Sequence, residues 1–137
     1  MISLKTHSIL DYVGAVALIL CPFVFGFADL ETARNVFMIC GFTLILYSLF
    51  TNYQFSAFRL IPLGVHMTLD VMTGAFLIIA PWVLNYRVFL TPGQEFLHYI
   101  VGFGVFALVG ITSEKTETDK REHGIRLDQR QTVSPRF

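Results

Sequence analysis

Apolar residues are gathered into four long runs, at residues 9–27, 36–50, 61–86 and 96–111, with short polar stretches between them. A helix needs about 20 apolar residues to cross the hydrocarbon core of a bilayer. The second and fourth runs reach that length once their flanks, residues 32–52 and 91–112, are counted. The pattern predicts an all-α, polytopic membrane protein of four transmembrane helices within residues 1–112. The apolar pattern stops at Thr112, and residues 113–137 read as a charged, disordered tail.

The flanks carry helix start signals. Thr91-Pro92-Gly93-Gln94 places a threonine at the N-cap, a proline at the first helical position and a glutamine three residues on, which is a capping box. Thr32 followed by Asn35 is a weaker counterpart. The first run follows Lys5 and could be read as a secretory signal, but it is long, lacks a small-x-small cleavage site and recurs later in the chain. A retained helix is expected.

That recurrence is an internal repeat. An offset of 59 residues pairs His7 with His66, Asp11 with Asp70, Leu18 with Leu77, Pro22 with Pro81 and Phe27 with Tyr86. An offset of 61 pairs Gly41-Phe42 with Gly102-Phe103 in the following helices. Each unit (repeat 1 about 5–52, repeat 2 about 62–112) is thus a hairpin of two crossings, so both copies enter from the same side and run parallel. A four-helix bundle with pseudo-twofold symmetry is the simplest packing. Gly41 and Gly102, with Gly14, Gly74 and Gly104, are small enough for close helix approach. Pro22 and Pro81 each remove a backbone hydrogen bond and should kink their helix or end its regular part.

The duplicated helix ending in Cys21-Pro22-Phe23 and Ala80-Pro81-Trp82 resembles the SPW-repeat family of small integral membrane proteins over roughly residues 5–112, with Cys-Pro-Phe and Ala-Pro-Trp in place of Ser-Pro-Trp. The resemblance implies a bacterial inner-membrane protein and leaves activity open.

Composition agrees with the pattern: 54% of residues are hydrophobic and the mean hydropathy is +0.61, too apolar for a water-soluble core of 137 residues. The formal net charge is zero, and eleven of the twenty charged residues lie between Glu114 and Arg136, so nucleic acid is not expected as a partner. Eight Lys and Arg (Lys5, Arg59 and six in the tail) fall on the side of the termini, against Arg34 and Arg87 opposite. This places both termini in the cytoplasm by the positive-inside rule. Cys21 and Cys40 are not spaced as a metal pair and read as small hydrophobes, with a disulfide between the first two helices left open.

The candidate chemistry is the repeated His-x3-Asp. Each pair, His7 with Asp11 and His66 with Asp70, shares one helical face, and the pseudo-twofold could bring all four together. They could bind a divalent metal, relay protons or receive a cationic partner group. The structural alternative holds each aspartate by the helix dipole and lets histidine fix the bundle's register. His98 and His66 should lie at opposite membrane faces and so share no haem. Phe23, Phe25, Phe27, Trp82 and Tyr86 at one face, and Tyr47, Phe50, Tyr53, Phe55 and Phe58 at the other, read as interfacial belts. No catalytic or cofactor motif is present in the sequence, and no enzymatic activity is expected.

The expected function is therefore a structural or accessory membrane protein, packing in the bilayer as a homo-oligomer or as a small subunit of a larger membrane complex. A small cation or proton transporter using Asp11 and Asp70 is the alternative, and a metal-binding membrane subunit ranks below it.

Overall fold

A computed structural model describes residues 2–51, 57–58 and 60–112. The expected tail at 113–137, and Tyr53, Phe55 and Arg59, lie outside the described residues. Four helices make up the bundle: α1 Leu4–Val24, α2 Glu31–Phe50, α3 Leu63–Val83 and α4 Pro92–Thr112. Each is long and apolar enough to cross a membrane. A short 3-10 helix, Arg87–Phe89, lies between α3 and α4.

Local chemistry sets the helix ends. The Ser3 hydroxyl accepts the Thr6 N–H at 3.1 Å and starts α1 five residues before the apolar run begins. At α4 the expected capping box is present: the Gln94 N–H reaches Thr91 Oγ1 at 3.3 Å, and the Thr91 N–H donates to Gln94 Oε1 at 3.0 Å. The Thr32 counterpart is not formed. The N-cap of α2 is Leu30, with Glu31 in the first turn, so Thr32 already lies inside the helix.

Pro22 and Pro81 end their helices; each helix stops two residues beyond its proline. Both ends are Schellman motifs built on the proline carbonyl. The Phe27 N–H donates to Pro22 O at 2.9 Å and the Tyr86 N–H to Pro81 O at 3.1 Å. The residue between cap and closing donor takes the left-handed conformation in both: Gly26 with φ 69° and Asn85 with φ 56°.

Packing follows the hairpins, α1 against α2 and α3 against α4, with α2 against α3 joining them more closely than α1 against α4. A Cβ on Gly41 would lie 2.8 Å from Ala15 O and 2.7 Å from Ile19 Cγ1; one on Gly102 would lie 2.6 Å from Gly74 O and 2.5 Å from Ile78 Cγ1. Ala15 and Ile19 are the positions that the 59-residue offset pairs with Gly74 and Ile78, so the two hairpins close on matching contacts. Gly14 and Gly104, expected among the close-packing glycines, have nothing within 4 Å of such a Cβ. They line a groove of about 360 Å³ between α1 and α4 instead, with Ala17, Val101 and Val105. Cys21 and Cys40 are buried free thiols.

The remaining surface is largely apolar, with Val13, Val24, Ile39, Met72 and Val83 each at least 59% exposed, as hydrocarbon contact requires.

Candidate functional site

Inside this apolar shell lies a polar layer near one end of the bundle, the end at which α1 and α3 begin and α2 and α4 finish. His7, Asp11, His66 and Asp70 are all buried there, at most 4% exposed. The i, i+4 spacing brings each histidine beside the aspartate of its own helix: His7 Nε2 lies 3.4 Å from Asp11 Oδ1 and His66 Nε2 lies 3.2 Å from Asp70 Oδ2. The same nitrogens reach across to the other hairpin. His7 Nε2 lies 3.3 Å from Asp70 Oδ2, and His66 Nε2 lies 3.1 Å from Asp11 Oδ2. The four groups form a closed ring of alternating nitrogen and oxygen, with the imidazoles edge to face at 5.7 Å between centroids.

Three residues that sequence reasoning did not place here complete the layer. The Thr51 hydroxyl donates to Tyr47 O at 2.7 Å and meets His66 Nδ1 at 2.9 Å. The Thr112 hydroxyl donates to Leu108 O at 2.6 Å and meets His7 Nδ1 at 3.0 Å. The Tyr47 hydroxyl donates to Asp70 Oδ1 at 2.6 Å. Thr51 and Thr112 are related by the 61-residue offset, a signal available in the sequence had the second-helix pairing been carried to the helix ends. Tyr47 carries no such signal, since its counterpart is Leu108. Its assignment to an interfacial belt is corrected: it is only 6% exposed, buried by its bond to Asp70.

The helix dipole does not hold these aspartates. Because Ser3 and Pro62 start the helices early, neither α1 nor α3 has an acidic residue in its first turn, and the dipole effect fades within that turn. Asp11 and Asp70 sit about two turns in, held by imidazole and, for Asp70, phenol groups.

A second buried layer lies at the opposite end. Phe27, Phe37, Tyr86 and His98 meet there, with Phe37 edge-on to His98 at 4.8 Å between centroids. His98 Nδ1–H donates to Gln94 O at 2.9 Å, which leaves Nε2 to accept the Tyr86 hydroxyl at 3.0 Å. Phe27 and Tyr86 are 3% and 2% exposed, so their expected place in an outer belt is also corrected; the Schellman turns direct both inward. Trp82 stays at the surface, with the Arg87 guanidinium 5.3 Å above its ring. Arg87 is itself held above its ordinary range by its hydrogen bond to the Glu95 carboxylate.

The two layers join diagonal helices at opposite ends, α1 to α3 through the His-Asp ring and α2 to α4 through Phe37 and His98. This arrangement is a multi-pass membrane protein of four helices with its polar groups turned inward. The family model for the SPW repeat domain matches residues 5–113, and the chain belongs to that family. No curated protein and no solved structure matches the chain.

Proposed function

We propose that the protein is a structural or accessory membrane module, with both termini on the cytoplasmic side of a bacterial inner membrane, that packs as a homo-oligomer or as a small subunit of a larger complex. The observation that carries this reading is the internal pairing of the His-Asp layer. His7, His66 and Asp70 are bonded to one another, to Asp11, and to hydroxyls of α2 and α4, so the polar groups join the two hairpins in one register. The groove between α1 and α4, floored by Gly14 and Gly104, is the surface this reading assigns to a second copy of the chain.

The test is native purification followed by mass measurement of the intact complex, with thermal unfolding of Asp11→Asn and Asp70→Asn. A homo-oligomer or a stoichiometric membrane partner, with lowered stability in both variants, is expected. A monomer without partners would contradict the reading.

A second reading, a cation or proton path through Asp11 and Asp70, is favoured by a cavity of about 80 Å³ that both carboxylates line beside Tyr47 and Thr73. It predicts a pH- or cation-driven flux in proteoliposomes that Asp11→Asn and Asp70→Asn abolish.

A further inference from the structure

The proton inventory and geometry of the His-Asp layer leave room for a cation. Each threonine hydroxyl has one hydrogen, and both are donated to backbone carbonyls, Thr51 to Tyr47 O and Thr112 to Leu108 O. The hydroxyl oxygens can then only accept, so His66 and His7 donate to them from Nδ1–H. A neutral imidazole with its proton on Nδ1 carries a lone pair on Nε2. Both Nε2 atoms face carboxylate oxygens at 3.1–3.4 Å. Two arrangements satisfy those contacts: a second proton on each imidazole, so that Nε2–H donates to the carboxylates, or a cation held between the lone pairs.

We propose that the layer binds one divalent transition-metal ion of the zinc type, through Nε2 of His7 and His66 and one carboxylate oxygen each of Asp11 and Asp70. The separations fit. Metal–ligand bonds of about 2.0–2.1 Å in a tetrahedron place neighbouring ligand atoms about 3.3–3.4 Å apart. With Oδ2 of each aspartate as ligand, His66 Nε2 lies 3.1 Å from Asp11 and 3.2 Å from Asp70 and His7 Nε2 lies 3.3 Å from Asp70, and one ligand atom from each of the four residues lies within 4.8 Å of the other three. The charge also fits. Two carboxylates and a divalent ion sum to zero, which offsets the cost of burying two anions at this depth in a membrane.

The surroundings are those of a ligand set. Metal-bound histidines donate their other ring N–H to a fixed acceptor, and bound carboxylates are hydrogen-bonded in turn. Thr51 and Thr112 hold the two Nδ1–H groups here, and Tyr47 holds Asp70 Oδ1. Two imidazoles favour zinc, cobalt or nickel over magnesium or calcium, which take oxygen ligands. Metal binding deepens the structural reading, since it rests on the same meeting of α1 and α3 side chains and adds a bond across it.

The experiment uses full-length protein in detergent, purified through a histidine-free tag, stripped with a chelator and titrated with Co²⁺ and then Zn²⁺. The expected result is the visible absorption of four-coordinate Co²⁺, displaced by Zn²⁺ at about one equivalent per chain. Asp11→Asn and Asp70→Asn should lose that absorption while keeping wild-type helical circular dichroism. Thr51→Val and Thr112→Val, which leave the ligands in place, should weaken binding by about 10–100-fold. Folded wild-type protein that takes up no stoichiometric Co²⁺ or Zn²⁺ would overturn the proposal, as would unchanged binding in the folded aspartate variants. Where a variant unfolds, the wild-type titration alone decides. The stability of the stripped protein reports separately: if Asp11→Asn lowers it where no metal binds, the structural reading stands alone.

Discussion

Tyr47 donates its hydroxyl to Asp70 Oδ1 at 2.6 Å, while the position matching Tyr47 in the second repeat is Leu108, which has no hydroxyl to offer Asp11. The His-Asp layer is therefore symmetric in its histidines, aspartates and threonines but not in its phenol. Removing that phenol tests how much the asymmetry matters. Tyr47→Phe should lower unfolding stability by about 1.5–3 kcal/mol, the range for a hydrogen bond to a charged group. Chemical unfolding in detergent micelles, compared with Leu108→Ile as a volume-conserving control, measures the loss. No loss beyond the control would show that Asp70 does not need Tyr47.

The two Schellman turns make the same demand on matching positions. Asn85 holds φ 56° and Gly26 holds φ 69°. Asn85→Gly should unfold at or slightly above the wild-type temperature, whereas Asn85→Val should lose about 1–2 kcal/mol because a branched side chain resists the left-handed region. Thermal scans of the two variants check the sign. Equal effects would mean the turn tolerates any residue.

Glycines that look alike in sequence should respond differently. Gly102→Ala places a methyl group 2.6 Å from Gly74 O and should cost about 1–3 kcal/mol by forcing α3 and α4 apart. Gly104→Ala enters open space in the α1–α4 groove and should leave the stability of the isolated chain unchanged. Its larger version, Gly104→Leu, should reduce the mass of any homo-oligomer measured in detergent.

Ser8 and Ser48 are fully buried, and neither hydroxyl has a hydrogen-bond partner among the described residues. Each sits beside a member of the layer, His7 and Tyr47. Replacing an unsatisfied buried hydroxyl removes its desolvation penalty of about 1–3 kcal/mol. Ser8→Ala and Ser48→Ala should therefore match or exceed wild-type stability. A marked loss in either would reveal a bond that the hydroxyl makes in the bilayer.

Much of the architecture was legible in the sequence because membrane helices must be long and apolar, and because the 59- and 61-residue offsets pair positions that pack. The spans, the capping box at Thr91, the close approach at Gly41 and Gly102, and the meeting of His7, Asp11, His66 and Asp70 all follow from spacing within one repeat or between two. Three features were not legible. The early start of α1 depends on Ser3, a polar residue ahead of the apolar run. The inward turn of Phe27 and Tyr86 depends on backbone conformation at Gly26 and Asn85, which hydropathy does not report. The recruitment of Tyr47 joins residues 23 positions apart, in different hairpins and without a repeat partner. Sequence symmetry found the parts that obey it and missed the parts that break it.

The His-Asp layer joins the two hairpins, and the shortest histidine–aspartate contact between them is His66 Nε2 to Asp11 Oδ2 at 3.1 Å. A double-mutant cycle of Asp11→Asn and His66→Gln, measured by reversible unfolding in micelles with chelator present, isolates that link. A coupling energy of about 1 kcal/mol or more is predicted, since the residues touch across the bundle. Additivity within about 0.3–0.5 kcal/mol, the behaviour of independent sites, would contradict a layer that ties the hairpins together.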